Sequence, residues 1–185
     1  MKNLIIILSI FFALSSLAGC SPADPLVLVN SKVSIIKDKE KIGGIGITEG
    51  VNKGKEVVPT SLYYEITLKK TNNEQFEDIT RLKFVIVPSN DLKETSKSII
   101  GINVFNQEEY SGSGLGHGES ITASLKPNKD LVYNSNYALG VDIVDPQFTL
   151  KTPSSDKLEK LKEKALDATL IVYRGEKEIS RLKLK

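Results

Sequence analysis

The chain contains a single cysteine, Cys20, whose surroundings indicate a chemistry before any fold is considered. It directly follows residues 17–19 (LAG), which end an apolar run over residues 4–18 that begins after Lys2. The run is shorter than the about 20 apolar residues that a helix needs to cross a bilayer. A basic start, a short apolar core and small residues at its end are typical of a secretory signal, but such a signal has no need of a cysteine.

The order of these features resembles the lipobox of bacterial lipoproteins. In that family the cysteine sulfur is alkylated with diacylglycerol and the signal is cut before the cysteine, which becomes the first residue. The resemblance implies a signal peptide over residues 1–19, a lipid on Cys20 and a tether over residues 20–25. Two acyl chains anchor a protein stably, at about 0.8 kcal/mol per buried CH₂, so the implied location is the cell membrane, facing outside the cytoplasm. The alternatives are a plain signal peptide with a chance cysteine and an uncleaved anchor.

His117 is the only histidine, so any triad built on serine or cysteine would have to use it, and zinc sites built on histidine pairs are excluded. It lies in residues 112–118 (GSGLGHG), and a catalytic base needs its ring held by a third group. We interpret His117 as a solvent-facing loop residue and predict no catalytic and no metal-binding residues.

Three glycine-rich segments have the composition of phosphate-binding loops without the spacing. Residues 44–49 (GIGITE) lack the third glycine of a dinucleotide fingerprint, and residues 114–118 (GLGHG) space their glycines differently. Residues 50–56 (GVNKGKE) have one residue too few before Gly-Lys, and Glu56 replaces the hydroxyl that would meet magnesium. We therefore predict no cofactor and interpret these segments as flexible loops that can form a contact surface.

Four acidic residues remain as candidates for ligands or catalytic groups. Asp142 and Asp145 flank the end of a predicted strand, and Glu108 and Glu109 lie on a predicted loop. A calcium site needs oxygen ligands from several positions, and no EF-hand spacing is present. Nothing in the sequence selects a carboxylate pair for glycoside hydrolysis. The four are interpreted as surface charges.

Composition limits the class of protein further. The 25 basic and 23 acidic side chains are mixed along the chain, without the basic patch or stripe of nucleic-acid-binding proteins, so we predict no nucleic-acid partner. Residues 20–185 have the length of one domain and can build a core without disulfides. With Cys20 committed to lipid, no intramolecular disulfide is expected.

Beyond the tether, strand signals recur at the spacing typical of β-sandwiches, about 8–12 residues. The clearest run is residues 61–70, where apolar and polar side chains alternate as in a half-buried antiparallel strand. A bulge is predicted at Asn30 of the first strand. Residues 42–51 are expected to form a loop or a weak edge strand, and residues 89–98 and 128–136 to be polar or turn-rich. The predicted strands cover residues 26–36, 61–70, 82–87, 99–105, 119–125, 137–144, 169–173 and 179–184.

One segment changes to helical period. Ser155 is predicted to cap a helix over residues 156–166, with an apolar stripe formed by Leu158, Leu161, Ala165 and Leu166. The spacing of Asp156 with Lys160 and of Glu159 with Lys162 favours ion pairs on its polar face. We expect this helix to cross from one sheet edge to another and to pack on the sandwich; the alternative is a role at the membrane surface.

These patterns predict a single domain over residues 26–185, mainly β, as an antiparallel β-sandwich with one short helix in the C-terminal half. Residues 62–68 (LYYEITL), followed by residues 71–73 (TNN), are similar to the strand and turn pairs of immunoglobulin-like domains on bacterial exported proteins. The resemblance implies an immunoglobulin-like strand order, although the Cys…Trp…Cys hallmark is absent because the chain has no tryptophan.

The sequence therefore predicts a lipid-anchored, non-catalytic binding or interaction module of the cell envelope. Loops on a rigid sheet scaffold are where recognition usually resides, so the partner is expected to be an envelope protein, a peptide or a cell-wall polymer. The alternative is an envelope enzyme acting on a cell-wall or peptide substrate.

Overall fold

The structure, a computed structural model, describes residues 25–71, 81–123 and 130–185. Strand accounts for 45% of these residues and helix for 21%, so this part of the protein is mainly β. The helical share is below the 30–35% that is ordinary in globular proteins, and the predicted β-dominated fold class is confirmed.

Nine strands and three α-helices occur in the described residues. The strands are β1 (Leu26–Ile36), β2 (Ile45–Gly46), β3 (Glu56–Val57), β4 (Thr60–Lys70), β5 (Leu82–Pro88), β6 (His117–Ala123), β7 (Leu131–Gly140), β8 (Ala168–Arg174) and β9 (Lys177–Lys183). The helices are α1 (Lys39–Ile42), α2 (Asn90–Ile100) and α3 (Ser155–Lys164), and a 3₁₀ helix spans Gln107–Tyr110.

The strands form two larger antiparallel sheets and one small pair. The long sheet has the order β1-β4-β7-β6, the short sheet has the order β5-β8-β9, and β2 pairs with β3. In the central strand β4 the four predicted inward side chains, Leu62, Tyr64, Ile66 and Leu68, are fully buried. The register of β1 against β4 shifts between Leu28 and Asn30, which confirms the predicted bulge.

Two different layers cover the inner face of the long sheet. In the half near Pro25, the short sheet packs on it, and the rings of Phe84 and Tyr133 stack with centroids 4.7 Å apart. In the other half, helical segments take the place of strands: the Tyr64 hydroxyl donates to the Ala165 carbonyl at 2.8 Å, just after α3. The arrangement is sandwich-like, and the immunoglobulin-like strand order stays a prediction.

The helix α2 corrects two interpretations of the sequence, which reads residues 89–98 only as a polar segment and predicts a strand over residues 99–105. Ser89 caps the helix by accepting a hydrogen bond from the Leu92 amide at 3.1 Å. Leu92 and Ser96 are fully buried, so the inward stripe contains a serine where an apolar residue would have revealed the helical period.

The strand β7 also differs from its prediction. It begins at Leu131, inside the segment expected to be turn-rich, and ends at Gly140, before the predicted end at residue 144. A Cβ added to Gly140 would lie 2.3 Å from the carbonyl carbon of Lys151. The close approach of that segment stops the ladder, leaving one isolated bridge from Val141 to Lys151.

The predicted C-terminal helix is confirmed as α3, with Ser154 in the N-cap position instead of Ser155 and without a side-chain capping bond. Leu158 and Leu161 are buried in the core, so the expected packing on the sandwich is confirmed. Glu159 pairs with Lys162 as predicted.

The strands β8 and β9 are joined by a tight hairpin turn, with Arg174 opposite Lys177. The predicted turn over residues 71–73, the end of the predicted strand over residues 119–125, and residues 1–24 with Cys20 lie partly or wholly outside the described residues.

Candidate functional site

The antiparallel order of the long sheet brings three loops together at one end. From Leu26 to Ile36, β1 rises about 3.3 Å per residue, so this end lies about 33 Å from Pro25. The strands β4 and β6 begin there, and β7 ends there. We call the three segments at this end the far loops: residues 37–59, 111–116 and 141–152.

The far loops have an apolar cluster of their own. Ile47, Val57, Val141 and Phe148 are buried together, separately from the main core between the layers. Because these side chains come from different loops, their burial holds the loops against one another. The far loops are therefore ordered by packing, in contrast to the flexible loops expected from their glycine content.

Two polar side chains fasten the far loops further. Gln147 Oε1 accepts hydrogen bonds from the amide and the hydroxyl of Thr48, at 3.0 and 3.3 Å, and its Nε2 donates to the Gly46 carbonyl at 3.1 Å. Asp145 is 5% exposed, and its carboxylate accepts from Asn52 Nδ2 and from the Gln147 amide, both at 3.0 Å. The surface position predicted for Asp145 is wrong: the residue is buried, and its carboxylate joins two loops through Asn52.

The third far loop is fitted closely against the others at Gly114. A Cβ at this position would lie 2.1 Å from the Gln147 carbonyl oxygen, so only glycine allows the approach. The Thr149 amide donates to the Ser113 carbonyl at 3.2 Å alongside. Gly114 therefore serves close packing of backbone against backbone.

A cleft of about 340 Å³ opens between two of the far loops, lined by residues 48–50 and 145–147. Val51 is 95% exposed and Val144 is 81% exposed, and each directly follows or precedes a residue that lines the cleft. Burying an exposed valine side chain stabilises a complex by about 1.5–3 kcal/mol. Because the far loops leave Val51 and Val144 in water, they have apolar surface available for contact with a partner.

His117 lies at the first position of β6, so its predicted position in a loop is wrong. Its ring stacks on Tyr137 with centroids 5.8 Å apart, and its side chain is 29% exposed. Nε2 lies 3.6 Å from Glu119 Oε1, beyond hydrogen-bonding distance. Tyr137 thus supports the ring, and no serine hydroxyl among the described residues hydrogen-bonds to it.

The acidic candidates occupy two separate places. Asp142 pairs with Lys37 at 2.6 Å, and the hydrogen bond from that ammonium lowers the pKa of the Asp142 carboxyl. Glu109 accepts from the Asn103 amide at 2.6 Å, and this bond is the main reason that the pKa of Glu109 is lowered. Glu108 is exposed beside it.

Asp142 and Asp145 belong to the far loops, whereas Glu108 and Glu109 lie on the 3₁₀ helix. In the described residues, no three histidine, cysteine, aspartate or glutamate side chains come together as a possible metal site.

The glycine-rich segments over residues 44–56 form the β2–β3 hairpin. Ile47 accepts from the Gly54 amide and donates to the Lys55 carbonyl, both at 2.8 Å. A phosphate-binding loop leads into a helix N-terminus, and this segment closes on itself as a hairpin.

Sequence analysis missed Asn52 and Gln147, the partners of Asp145 and Thr48. The sequence indicates only that both residues lie in turn-rich segments. Their partners could not be predicted, because the bonds join loops that are about 100 residues apart along the chain, as for Gln147 and Thr48.

Comparison of the chain with protein-family models, curated protein sequences and solved structures finds no match. Over the described residues, no helix is long and apolar enough to cross a membrane.

Proposed function

We propose that this protein is a membrane-anchored, extracytoplasmic lipoprotein that acts as a non-catalytic binding module, with the far loops as its recognition surface. One observation carries the choice of surface: the far loops are held in one conformation by their own apolar cluster, yet Val51 and Val144 remain in water beside the cleft. Fixed loops lose little conformational entropy on binding, so their contacts contribute more fully to affinity.

The anchor is supported by Cys20 and the preceding residues 17–19, and by the position of Pro25. The chain that would follow the lipid joins β1 at the end opposite to the far loops. A module anchored in this way presents the far loops to the envelope space, about 33 Å further from the membrane than Pro25.

The recognition surface is tested by crosslinking in intact membranes, with the full chain carrying a photoreactive residue in place of Glu49, which lines the cleft. We expect specific crosslinked species, and we expect the substitutions Val51→Ser and Val144→Ser together to abolish them. The matched control is Val29→Ser, which removes a half-exposed valine from β1 in the other half of the sheet. Crosslinks that disappear equally in both variants, or in neither, would contradict the assignment.

The anchor is tested separately through Cys20→Ala. This variant should accumulate as an unprocessed or soluble precursor without palmitate label, because the acceptor sulfur is gone. Palmitate labelling that persists in Cys20→Ala would reject lipidation at this residue while leaving the recognition surface open to its own test.

A further inference from the structure

The two larger sheets end in four edge strands, and three of them carry features that discourage pairing with another strand. Lysine, proline and irregular register all blunt an exposed edge. β5 contains Lys83 and ends at Pro88, and β9 begins at Lys177 and ends at Lys183. β1 is interrupted by the bulge next to Asn30.

The fourth edge, β6, has none of these features. Residues 117–123 contain no lysine, arginine or proline, and they pair with β7 in continuous register. Among the described strands, none pairs with the other side of β6. Its backbone therefore offers a straight row of hydrogen-bonding groups.

The register identifies which groups face outward. The Ala138 amide donates to the Gly116 carbonyl at 3.0 Å, so the ladder bonds to β7 continue at every second residue from Gly116. The intervening residues direct their N–H and C=O groups away from β7. These outward-facing residues are His117, Glu119 and Ile121.

The same three residues place their side chains on the inner face of the sheet. Glu119 lies opposite Ser135, and Ile121 lies opposite Tyr133. The Glu119 side chain is 42% exposed, and Ile121 is 37% exposed. Behind them the hydroxyls of Tyr133 and Ser135 are buried without a hydrogen-bond partner in the described part of the chain. This stretch of the inner face therefore presents two hydroxyls with unused hydrogen-bonding capacity behind the Glu119 carboxylate.

Glu119 decides what kind of strand can be added. An inward-pointing charge repels an apolar strand that would bury it, but favours one that brings the opposite charge. Among the described residues, His117 is the one basic side chain in ion-pair range of the Glu119 carboxylate, with Nε2 3.6 Å from Oε1. A basic side chain at the opposing position would lie on the same face, beside the carboxylate and the two hydroxyls.

We propose that β6 is a docking edge for an extended segment of a partner protein, which adds a fifth strand to the long sheet with lysine or arginine opposite Glu119 and an apolar side chain opposite Ile121. Backbone hydrogen bonds supply affinity in this mode of recognition, and alternate side chains supply specificity. The proposal goes beyond the proposed function, because it names a second surface that does not use the far loops.

The test uses the full chain in lipid nanodiscs and a fluorescent nine-residue peptide of alternating threonine and valine with one central lysine. We expect binding by fluorescence anisotropy. We expect about tenfold weaker binding when glutamate replaces the lysine, since attraction to the Glu119 carboxylate is replaced by repulsion. N-methylation of alternate peptide amides, which removes the backbone donors, should abolish binding.

Two variants of the chain make the test specific to β6. Glu119→Lys should reverse the preference, so that the glutamate peptide binds better than the lysine peptide. Ile121→Pro removes an outward N–H without touching the ladder to β7 and should weaken binding about tenfold, whereas Ile121→Ala keeps the N–H. An unchanged melting temperature shows that each variant is folded.

A folded chain that does not bind the lysine peptide would overturn the proposal. An affinity for the lysine peptide that is unchanged in Glu119→Lys or in Ile121→Pro would overturn it as well. If the original chain forms a dimer in the absence of peptide, and Ile121→Pro dissociates that dimer, the added strand is β6 of a second copy and not a segment of another protein. The peptide experiment does not use the far loops, so its result does not depend on the outcome of the crosslinking experiment with Val51→Ser and Val144→Ser. Either proposal can therefore be rejected without rejecting the other.

Discussion

The two halves of the long sheet's inner face are covered in different ways, and the contrast explains which parts of the molecule follow from local sequence. The half near Pro25 is covered by the short sheet, where Phe84 stacks on Tyr133. Its stability rests on apolar side chains at alternating positions, a pattern that each strand carries on its own.

The half near the far loops is covered by α2, α3 and the segment between α2 and the 3₁₀ helix. Here tyrosines join packing to hydrogen bonding: Tyr64 donates to the Ala165 carbonyl at 2.8 Å, and Tyr110 donates to the Ala138 carbonyl at 3.0 Å. Phe105 packs against Tyr137 with centroids 4.8 Å apart, and burial raises the pKa of Tyr137 to about 12. Each of these bonds connects segments that are distant in the chain.

The largest expected effect comes from removing one central side chain from each half. Phe84→Ala should cost about 3–5 kcal/mol and Leu161→Ala about 2–5 kcal/mol, because both side chains are buried and leave cavities. Chemical denaturation of residues 21–185 measures both. If the halves are independent, the double variant should equal the sum within about 0.5 kcal/mol.

Lys160→Ala on the exposed face of α3 is the control for Leu161→Ala and should change stability by less than about 0.5 kcal/mol. A coupling of more than about 1 kcal/mol between the two core substitutions would show that the two halves form one cooperative layer. An unchanged melting temperature in Leu161→Ala, together with weaker binding to anionic vesicles, would mean that α3 serves the membrane instead of the core.

The strands β4, β5, β8 and β9 could be predicted from the sequence to within two residues at each end. β4 was expected over residues 61–70 and spans Thr60–Lys70, and its inward face was identified correctly, because period-two alternation is a local signal. β7 was placed wrongly since Asn134 and Asn136, which are unfavourable in isolated strands, lie on its outer face while tyrosines fill the inner one. Tertiary context overrode the local preference.

The covering helix α2 was missed for a comparable reason. Ser96 occupies the buried stripe, where its hydroxyl donates to the Ile102 carbonyl at 2.9 Å and accepts from the Val104 amide at 3.1 Å. These bonds make a buried serine acceptable, but they exist only after the chain folds back. Two residues in the sequence do indicate the helix: Ser89, directly after Pro88, is a favoured N-cap residue, and Gly101 is a favoured residue at a helix C-terminus.

Apart from residues 141–144, which the sequence places in a strand, the far loops could be predicted as loops. That they are neighbours could not be predicted, because their meeting depends on the strand order of the long sheet. The lipidation of Cys20 stays a prediction.

Helix capping gives a second, smaller contrast, between the two helices that cover the same half. Ser89 caps α2 through the Leu92 amide, whereas Ser154 occupies the same position before α3 without a side-chain bond. Ser89→Ala should therefore cost about 1 kcal/mol, and Ser154→Ala should cost much less. Thermal denaturation of both variants measures the difference. Equal losses would show that the cap geometry does not decide the stability of this layer.

The smallest expected effect concerns the turn that carries Phe105 onto Tyr137. Glu109 accepts from the Asn103 amide and lies 3.7 Å from Lys97 of α2, and these contacts lower the pKa of Glu109 below its ordinary value near 4.5. Because the folded state holds the carboxylate form, this stabilisation is fully present above the ordinary pKa and is lost as the pH falls through the lowered one.

Glu109→Gln keeps an acceptor oxygen but removes the charge, so it should melt slightly below the original protein at pH 7. The difference in melting temperature should shrink as the pH falls below about 4.5, where protonation removes the same charge from the original protein. Glu108→Gln is the matched control, since the Glu108 side chain is exposed and should give no such dependence. If the difference in melting temperature between Glu109→Gln and the original protein stays constant from pH 7 to pH 3, the turn is held by the shape of the side chain and not by its charge.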